Sequence, residues 1–236
     1  VPAPAIGRFL STRLRVPGTR LAHIDNCVEP AHVQPPVGPV RRLVFVGLLV
    51  ERKGLATLLA ALALPGVMPV DATLTVVGDG PERVRAEELA GALGGRVTFL
   101  GFRADVPDLL RHHDALVLPS TMEQQPLVVA EAMAAGKPVV ATDTGGVADM
   151  LGSTGTGDGG ALAAPGDVDQ LAARLCALFA EPDPAGIGLR LAERARERFA
   201  PDVCARRHLA LYREVVGWAP VTTGSSRGSS SQGWSS

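Results

Sequence analysis

The chain of 236 residues has few cysteines, no excess of charge of either sign and no long apolar run. Cys27, Cys176 and Cys204 are too few for a disulfide scaffold and too far apart for a zinc knuckle, so reduced thiols in the cytoplasm are expected. The 23 Lys and Arg balance 24 Asp and Glu, which excludes the basic footprint of a nucleic-acid or acidic-lipid binder. Apolar runs reach strand length only, so no transmembrane segment is expected.

Composition divides the chain into four parts. Residues 1–39 are rich in proline and contain one short amphipathic helix at 6–14, followed by a proline-rich linker. Residues 40–201 alternate strand and helix patterns, and a closing helix occupies 202–218. Residues 219–236 are mostly Ser and Gly, which cannot bury enough apolar surface to order, so a disordered tail is predicted.

Short apolar runs alternate with helical patterns across the second part. The predicted strands are 43–47, 73–77, 97–99, 115–118, 139–141 and, with a weaker pattern, 161–162. The predicted helices lie near 55–62, 82–93, 105–112, 126–135, 167–179, 188–199 and 202–216. Strands that are apolar on both faces predict an α/β, Rossmann-like domain with about six parallel strands and helices on both faces. Ligands of such sheets bind where the strands end at their carboxyl side.

Two strand-end loops are candidate phosphate sites. Lys53 directly precedes a helix, where its ammonium group and the free helix N–H groups can meet a phosphate. Taken alone, an ordinary exposed lysine is the simpler interpretation. The Gly-Asp-Gly-Pro turn at 78–81 suggests a dinucleotide fingerprint, but the third glycine is replaced by Arg83. An NAD-dependent oxidoreductase is therefore a disfavoured alternative.

The loop and helix after the fourth strand are the most informative part of the chain. The loop carries Glu123, and the helix begins near Pro126, where the missing N–H group costs nothing. The N–H groups of Leu127 and Val128 then face the strand-end cleft, a natural position for a diphosphate. One turn further on, Glu131 can accept hydrogen bonds from a ribose diol. The alternative is that Glu123 caps the helix and Glu131 is solvated.

These motifs, taken in order, resemble one enzyme family. Glu123 and Glu131 are separated by seven residues and are followed by Ala-Met-Ala, a glycine, Pro-Val-Val-Ala and the turn at Gly145 and Gly146. This order is similar to the C-terminal, donor-binding domain of family 4 retaining glycosyltransferases, which have the two-domain GT-B fold. The resemblance covers about 41–216 and implies transfer of a hexose from a nucleotide diphosphate sugar to an acceptor hydroxyl, with retention.

The resemblance implies which residues bind the donor. Glu123 and Lys53 would be the catalytic pair, with Lys53 on the diphosphate and Glu123 on the sugar. The remaining donor contacts would be Gly47 in the first loop, Leu100 to Arg103 around the base, Gln125 beside the sugar, Leu127 and Val128 at the distal phosphate, Glu131 at the ribose, and the Gly145–Gly146 turn. No metal and no cofactor is expected, because helix dipoles and basic side chains neutralise the leaving diphosphate.

The chain departs from the family pattern in several places. Leu48 stands where the family usually has Arg, Gln124 where glycine is usual, and Asp149 where Glu is commoner. Leu48 and Gln124 favour an alternative, a non-catalytic nucleotide-binding or partner-dependent module.

The start of the chain also carries a resemblance. Residues 6–14 resemble the last helix of the family's N-terminal domain, and residues 23–29 resemble its hinge. The expectation is a donor-binding half that is inactive alone, with the acceptor half missing or supplied by a companion chain. The expected location is the cytoplasm, with a peripheral position at the membrane as the alternative.

Overall fold

Six parallel strands form one sheet in the computed structural model, which describes residues 1–152 and 160–217. The strands are β1 Arg42–Val46, β2 Thr73–Val77, β3 Val97–Gly101, β4 Ala115–Leu118, β5 Val139–Thr142 and β6 Gly160–Ala163. Their spatial order is β3-β2-β1-β4-β5-β6, that of a doubly wound dinucleotide-binding fold. The predicted fold class is confirmed, and the predicted tail at 219–236 lies outside the described residues.

Helices follow the strands in alternation and begin or end within a few residues of their predicted positions. They are α1 Pro4–Arg13, α2 Leu55–Ala63, α3 Arg83–Ala90, α4 Val106–His112, α5 Leu127–Ala134, α6 Val147–Leu151, α7 Val168–Phe179, α8 Pro184–Phe199 and α9 Pro201–Val216. Helix α6 has no counterpart among the predicted helices, and α8 begins four residues before the predicted 188. Asp183 caps this helix by accepting a hydrogen bond from the Gly186 N–H group at 2.8 Å, and Pro184 takes the first position.

The helices cover both faces of the sheet, with a hydrophobic cluster on each. Leu43 and Phe45 of β1 belong to the cluster under α2, α3 and α7, whereas Val44 belongs to the cluster under α4, α5, α6 and α8. Burial on both faces explains why the strands are continuously apolar. Within the described residues, no helix has the length and apolarity needed to cross a membrane.

The order of the strands places a crevice between β1 and β4. β1 pairs with β2 on one side and with β4 on the other, so the connections from β1 and β4 leave in opposite directions. The loop after each strand approaches the other there, since the Thr121 N–H group donates to the Arg52 carbonyl oxygen at 2.8 Å. The loops with the predicted site residues therefore meet at one edge of the sheet.

Helix α8 packs against α5, the helix whose first turn faces this edge of the sheet. The contact is so close that a Cβ atom added to Gly188 would lie 2.0 Å from the carbonyl oxygen of Gly136. Only a glycine allows the two backbones to approach in this way. The position of α5 at the site therefore depends on a residue of a helix that does not itself reach the site.

Replacing Gly188 with Ala is expected to lower the free energy of unfolding by about 2 kcal/mol, because α8 must move away from the Gly136 carbonyl group. Urea denaturation of the variant and the wild type measures the difference. Gly91→Ala is the matched control, since a Cβ there meets no atom within 4 Å and the backbone is helical. An equal loss in both variants would contradict the close contact.

Candidate functional site

The first loop brings Gly47 and Lys53 together. Gly47 follows β1 and donates its N–H group to the Val77 carbonyl oxygen at 3.0 Å. A Cβ added to Gly47 would lie 3.7 Å from Cδ of Lys53, so the lysine side chain passes alongside this glycine. A short 3-10 turn, Glu51–Lys53, and Gly54 with φ of +70° then lead into α2. This geometry brings the ammonium group of Lys53 back over the end of β1.

Lys53 forms an ion pair with Glu123 across the crevice. Their Nζ and Oε1 atoms are 2.5 Å apart, and the two side chains are only 14% and 8% exposed. Within the described residues the Glu123 carboxylate accepts a hydrogen bond from Lys53 and none from the first turn of α5, so it does not cap that helix. That alternative interpretation is therefore wrong. The predicted catalytic pair is assembled in the free protein, at the point where the loops after β1 and β4 meet.

Glu131 lies in the second turn of α5 and is half-buried. Within the described residues its carboxylate forms no hydrogen bond and no ion pair, and burial raises the pKa of this carboxyl group. Glu131 is therefore partly shielded from solvent, and its role at a ribose stays a prediction. An isolated, partly desolvated carboxylate costs stability in the free protein and gains from any hydrogen-bond donor that reaches it.

The first turn of α5 presents backbone donors near Glu131. Leu127 and Val128 are its first two residues, and N–H groups at this position have no acceptor within the helix. The Val129 N–H group already donates to the Pro126 carbonyl oxygen at 3.1 Å. The helix therefore offers an anion two N–H groups together with the positive end of its dipole.

The glycine turn after β5 packs against the Glu123 loop. A Cβ added to Gly145 would lie 1.9 Å from the Glu123 carbonyl oxygen, and the backbone of Gly145 has φ of +60°. The Gly146 N–H group donates to the Gln124 carbonyl oxygen at 2.7 Å. The two glycines thus allow the third loop to support the backbone that carries Glu123.

The predicted base loop lies further along the same edge, at the end of β3. It adjoins the first loop through the strand-end turn of β2, where the Gly78 N–H group donates to the Gly101 carbonyl oxygen at 2.8 Å. Leu100 is partly exposed, and Arg103 is paired bidentately with Asp105 at 2.7 and 2.6 Å. The guanidinium group of Arg103 is therefore engaged within its own loop. At this edge of the sheet the loop presents its backbone groups.

Gln125 has a different partner from the one that the sequence predicts. Its amide nitrogen donates to Asp25 Oδ1 at 2.6 Å, and its amide oxygen accepts the Asn26 N–H group at 2.6 Å. The side chain of Gln125 is thereby engaged by the segment before β1, and its contact with a donor sugar stays a prediction. Nothing in the pattern of residues 23–29 indicates that Asp25 has a partner 100 positions away.

Asp25 is the centre of a buried charge network. Its carboxylate, only 2% exposed, also accepts hydrogen bonds from Arg198 and Arg207, each at 2.9 Å. Burial alone would raise the pKa of Asp25, but the hydrogen bond and charge of Arg198 and the hydrogen bond of Gln125 bring the pKa below its usual value. The network fastens the segment before β1 to the loop after β4 and to helices α8 and α9.

One group of possible metal ligands occurs among the described residues. His23, Asp25 and Asp149 bring their ligand atoms within 4.8 Å of one another. Arg198 already lies between the two carboxylates, at 2.9 Å from Asp25 and 2.7 Å from Asp149. The guanidinium group therefore neutralises the charge that a cation would otherwise balance.

Sequence comparison identifies the family to which this site belongs. Residues 40–181 match the model of a family described as glycosyl transferases group 1. The chain belongs to the group 1 glycosyltransferases. The match includes the loops that carry Lys53, Glu123 and Glu131.

Curated relatives are similar to this group 1 chain over about three quarters of its length. A 2-deoxystreptamine glucosyltransferase of Streptomyces kanamyceticus is 34% identical over 76% of this chain and 46% of its own length. The lipopolysaccharide core glycosyltransferase LpsE of Rhizobium meliloti is 36% identical over 75% of this chain and 48% of its own. The chain thus spans about half the length of the curated relatives it matches.

Solved structures that are similar to this chain include a synthase and a protein bound to a nucleotide sugar. The sucrose-phosphate synthase of Thermosynechococcus elongatus, 27% identical, has a TM-score of 0.77 and is matched over 92% of this chain and 58% of its own. The Anabaena protein HepE, solved in complex with UDP-glucose, is 31% identical with a TM-score of 0.61 over 72% of this chain and 48% of its own. Both support the assignment of this α/β domain to the family.

Asp25→Asn is expected to lower the free energy of unfolding by about 3 kcal/mol at neutral pH, because it leaves Arg198 without its buried counter-ion. Since the folded pKa of Asp25 is lowered, its contribution is present above about pH 4, the unfolded pKa, and is lost as the pH falls through the folded value. The difference between variant and wild type should therefore shrink in acid. Denaturant titrations of the variant and the wild type, at neutral pH and below about pH 4, measure this difference in the free energy of unfolding.

The matched control for this prediction is Asp71→Asn. Asp71 also pairs with an arginine, Arg41, at 2.9 Å, but its side chain is 64% exposed. Such a surface pair contributes less than about 1 kcal/mol. If the two variants lost the same stability, the network around Asp25 would not anchor the segment before β1.

Proposed function

We propose that the chain is the donor-binding half of a retaining glycosyltransferase and that it binds a nucleoside diphosphate sugar between β1 and β4. The observation that carries the proposal is Glu131, a half-buried carboxylate without a partner among the described residues, one turn inside the helix that faces the crevice. A ribose diol supplies the pair of donors that such a carboxylate lacks. The placement of Lys53 on the same edge supports the proposal.

The diphosphate would bind where positive charge and backbone donors converge. Lys53 and the N–H groups of Leu127 and Val128 lie on the two sides of the crevice. The ammonium group of Lys53 would then contact both the Glu123 carboxylate and the phosphate oxygens. It would neutralise the diphosphate without a large movement of the side chain. The helix dipole and Lys53 would stabilise the leaving diphosphate without a metal ion.

The transfer step is a displacement at the anomeric carbon. The acceptor hydroxyl attacks from the face that the diphosphate leaves, the anomeric C–O bond breaks, and the hydroxyl proton passes to the departing phosphate. Glu123 would orient the sugar, with Gly145 and Gly146 supporting its loop. The Leu100–Arg103 loop would hold the base through its backbone. This half of the enzyme would stabilise the leaving diphosphate. The interaction lowers the barrier only if it is stronger in the transition state than in the bound substrate.

The remaining parts of the proposal concern the whole enzyme. The acceptor side of the cleft would come from an N-terminal domain or a companion chain, and this chain alone would bind donor without transferring sugar. A hexose is the transferred group, since the relatives include a glucosyltransferase and a phosphatidyl-myo-inositol mannosyltransferase of Mycolicibacterium smegmatis, 34% identical over 75% of this chain and 46% of its own length. Donor binding would take place in the cytoplasm.

A second candidate function is a nucleotide-binding module that does not catalyse transfer. The observation in its favour is Leu48, which is 56% exposed in the first loop where the family usually has a cation. The buried pair of Lys53 and Glu123 argues for the enzyme, because a module without chemistry has no need to keep two desolvated charges together. The two functions differ in one result. Once the acceptor half is present, the enzyme would transfer the sugar of its donor, and the binding module would not.

Calorimetric titration with UDP, GDP, ADP and NAD tests the proposal. One nucleoside diphosphate is expected to bind, and Glu131→Gln should weaken it about 10-fold to 100-fold, the value of hydrogen bonds to a charged group. Glu88→Gln, on the exposed face of α3, is the control and should leave affinity unchanged. Binding of NAD alone, or of none of the four, would contradict donor binding by this chain.

The Glu131→Gln variant also has an expected effect on stability, which separates lost binding from misfolding. Because burial raises the pKa of Glu131, the ionised carboxylate destabilises the free protein at neutral pH. The amide removes that cost, so the variant should unfold at a temperature equal to or above that of the wild type. A variant that both melts earlier and binds less would not support a ribose contact.

Lys53→Met is expected to weaken the nucleoside diphosphate about tenfold or more and to leave the affinity for the bare nucleoside unchanged, because Lys53 meets the phosphates only. Titrating both compounds at several salt concentrations measures the effect, and the salt dependence of diphosphate binding should fall in the variant. Arg85→Met removes an exposed cation of α3 and serves as the control. If the variant lost affinity equally for the nucleoside and for the nucleoside diphosphate, the result would contradict a contact of Lys53 with the phosphates.

A further inference from the structure

Two of the three cysteines are brought together by contacts on either side of them. The Asp25 carboxylate accepts a hydrogen bond from Arg207 at 2.9 Å, and the Val28 N–H group donates to the Phe199 carbonyl oxygen at 2.9 Å. The segment between Asp25 and Val28 is therefore fixed against the stretch from 199 to 207. Each of these stretches contains one cysteine.

Those cysteines are Cys27 and Cys204, and both border the same open cavity. Its lining also includes Asp25, His208 and Tyr212. Cys204 lies in the first turn of α9, with its Sγ atom 3.4 Å from Nδ1 of His208, and Cys27 is exposed. Burial and then the neighbouring Cys27 thiol raise the pKa of the Cys204 thiol.

We propose that Cys27 and Cys204 form a reversible disulfide bond, a redox modification site that joins the segment before β1 to helix α9. The third cysteine, Cys176, lies on α7, which covers the opposite face of the sheet, and takes no part. The proposal is independent of the proposed donor site, because neither thiol has a role in it. In a reducing compartment such a bond is a regulatory one, formed when the thiol pool becomes oxidised.

The oxidant is a small-molecule disulfide such as oxidised glutathione. The exposed Cys27, as thiolate, attacks one sulfur of that disulfide, forms a mixed disulfide and releases one thiolate. Cys204, after losing its proton to water, attacks the Cys27 sulfur and releases the second thiolate. The two protein thiols lose two electrons and two protons in total, and one disulfide is reduced to two thiols.

The bond would act on the network around Asp25. Asp25 lies two residues before Cys27 and binds Gln125, which follows the Glu123 loop. Oxidation would therefore hold Asp25, Gln125 and α9 in a single arrangement. In the reduced chain, the segment before β1 could separate from α9 when the hydrogen bonds of Asp25 break. The segment resembles a hinge, so the bond would restrict the motion that a hinge allows.

Peptide mapping of the full chain tests the proposal without any substitution. Trypsin cleaves after Arg and Lys, which places the three cysteines in separate peptides, 21–41, 175–190 and 199–206. The chain is equilibrated with mixtures of reduced and oxidised glutathione, the free thiols are alkylated, and linked peptides are measured by mass spectrometry. The expected product is a link between 21–41 and 199–206, with Cys176 alkylated.

The expected link should exceed any link to Cys176 by at least about tenfold, because thiols held together react at millimolar effective concentration. Cys27→Ser and Cys204→Ser should each abolish it, and Cys176→Ser should leave it unchanged. Glutathione retained on Cys27 with no intrachain link, or links distributed equally among the three thiols, would overturn the proposal. Hydrogen exchange of the oxidised wild type should also slow at residues 25–28, and unchanged exchange there would overturn the restriction of the hinge.

Discussion

The rest of the site depends on the pairing of β1 with both β2 and β4. This arrangement places the loops after β1 and β4 side by side, and the hydrogen bond between Thr121 and Arg52 closes them. The ion pair of Lys53 and Glu123, 70 residues apart in sequence, follows from that adjacency. The glycine turn after β5 reaches the same point because β5 is the next strand in the sheet. Strand order, more than any single side chain, assembles the proposed donor site.

The site keeps its charges in two different states. Glu123 is paired with Lys53, so its burial is compensated within the free protein. Glu131 has no such partner among the described residues, and its burial is an uncompensated cost. The first arrangement holds a loop in position, and the second leaves a carboxylate whose missing hydrogen-bond donors the proposed nucleotide sugar would supply. The two glutamates of one sequence motif thus have different physical roles in the free protein.

The fold is readable from the sequence because it depends on local patterns, whereas the roles of the candidate site residues stay predictions. Apolar runs such as those of β1 and β4 predict a sheet that is covered on both faces, and several motifs in order, among them Glu123 and Glu131, carry the resemblance to the family that the match over residues 40–181 shows. The partners of Asp25 and Gln125 are not readable, since they join a segment near residue 25 to positions 125, 198 and 207. No periodicity records such contacts. The position of Cys27 and Cys204 beside one cavity is not readable for the same reason, since the two residues are far apart in sequence.

The distance in sequence between Asp25 and its arginines has a consequence for the order of folding. During synthesis the segment that carries Asp25 leaves the ribosome before its partners, which lie 173 and 182 residues later. The sheet from β1 to β6 can be complete before Arg198 and Arg207 emerge, so the segment around Asp25 can be fixed later than the strands that follow it in sequence. Until then the carboxylate of Asp25 stays hydrated, and the buried network forms only after Arg207 has emerged.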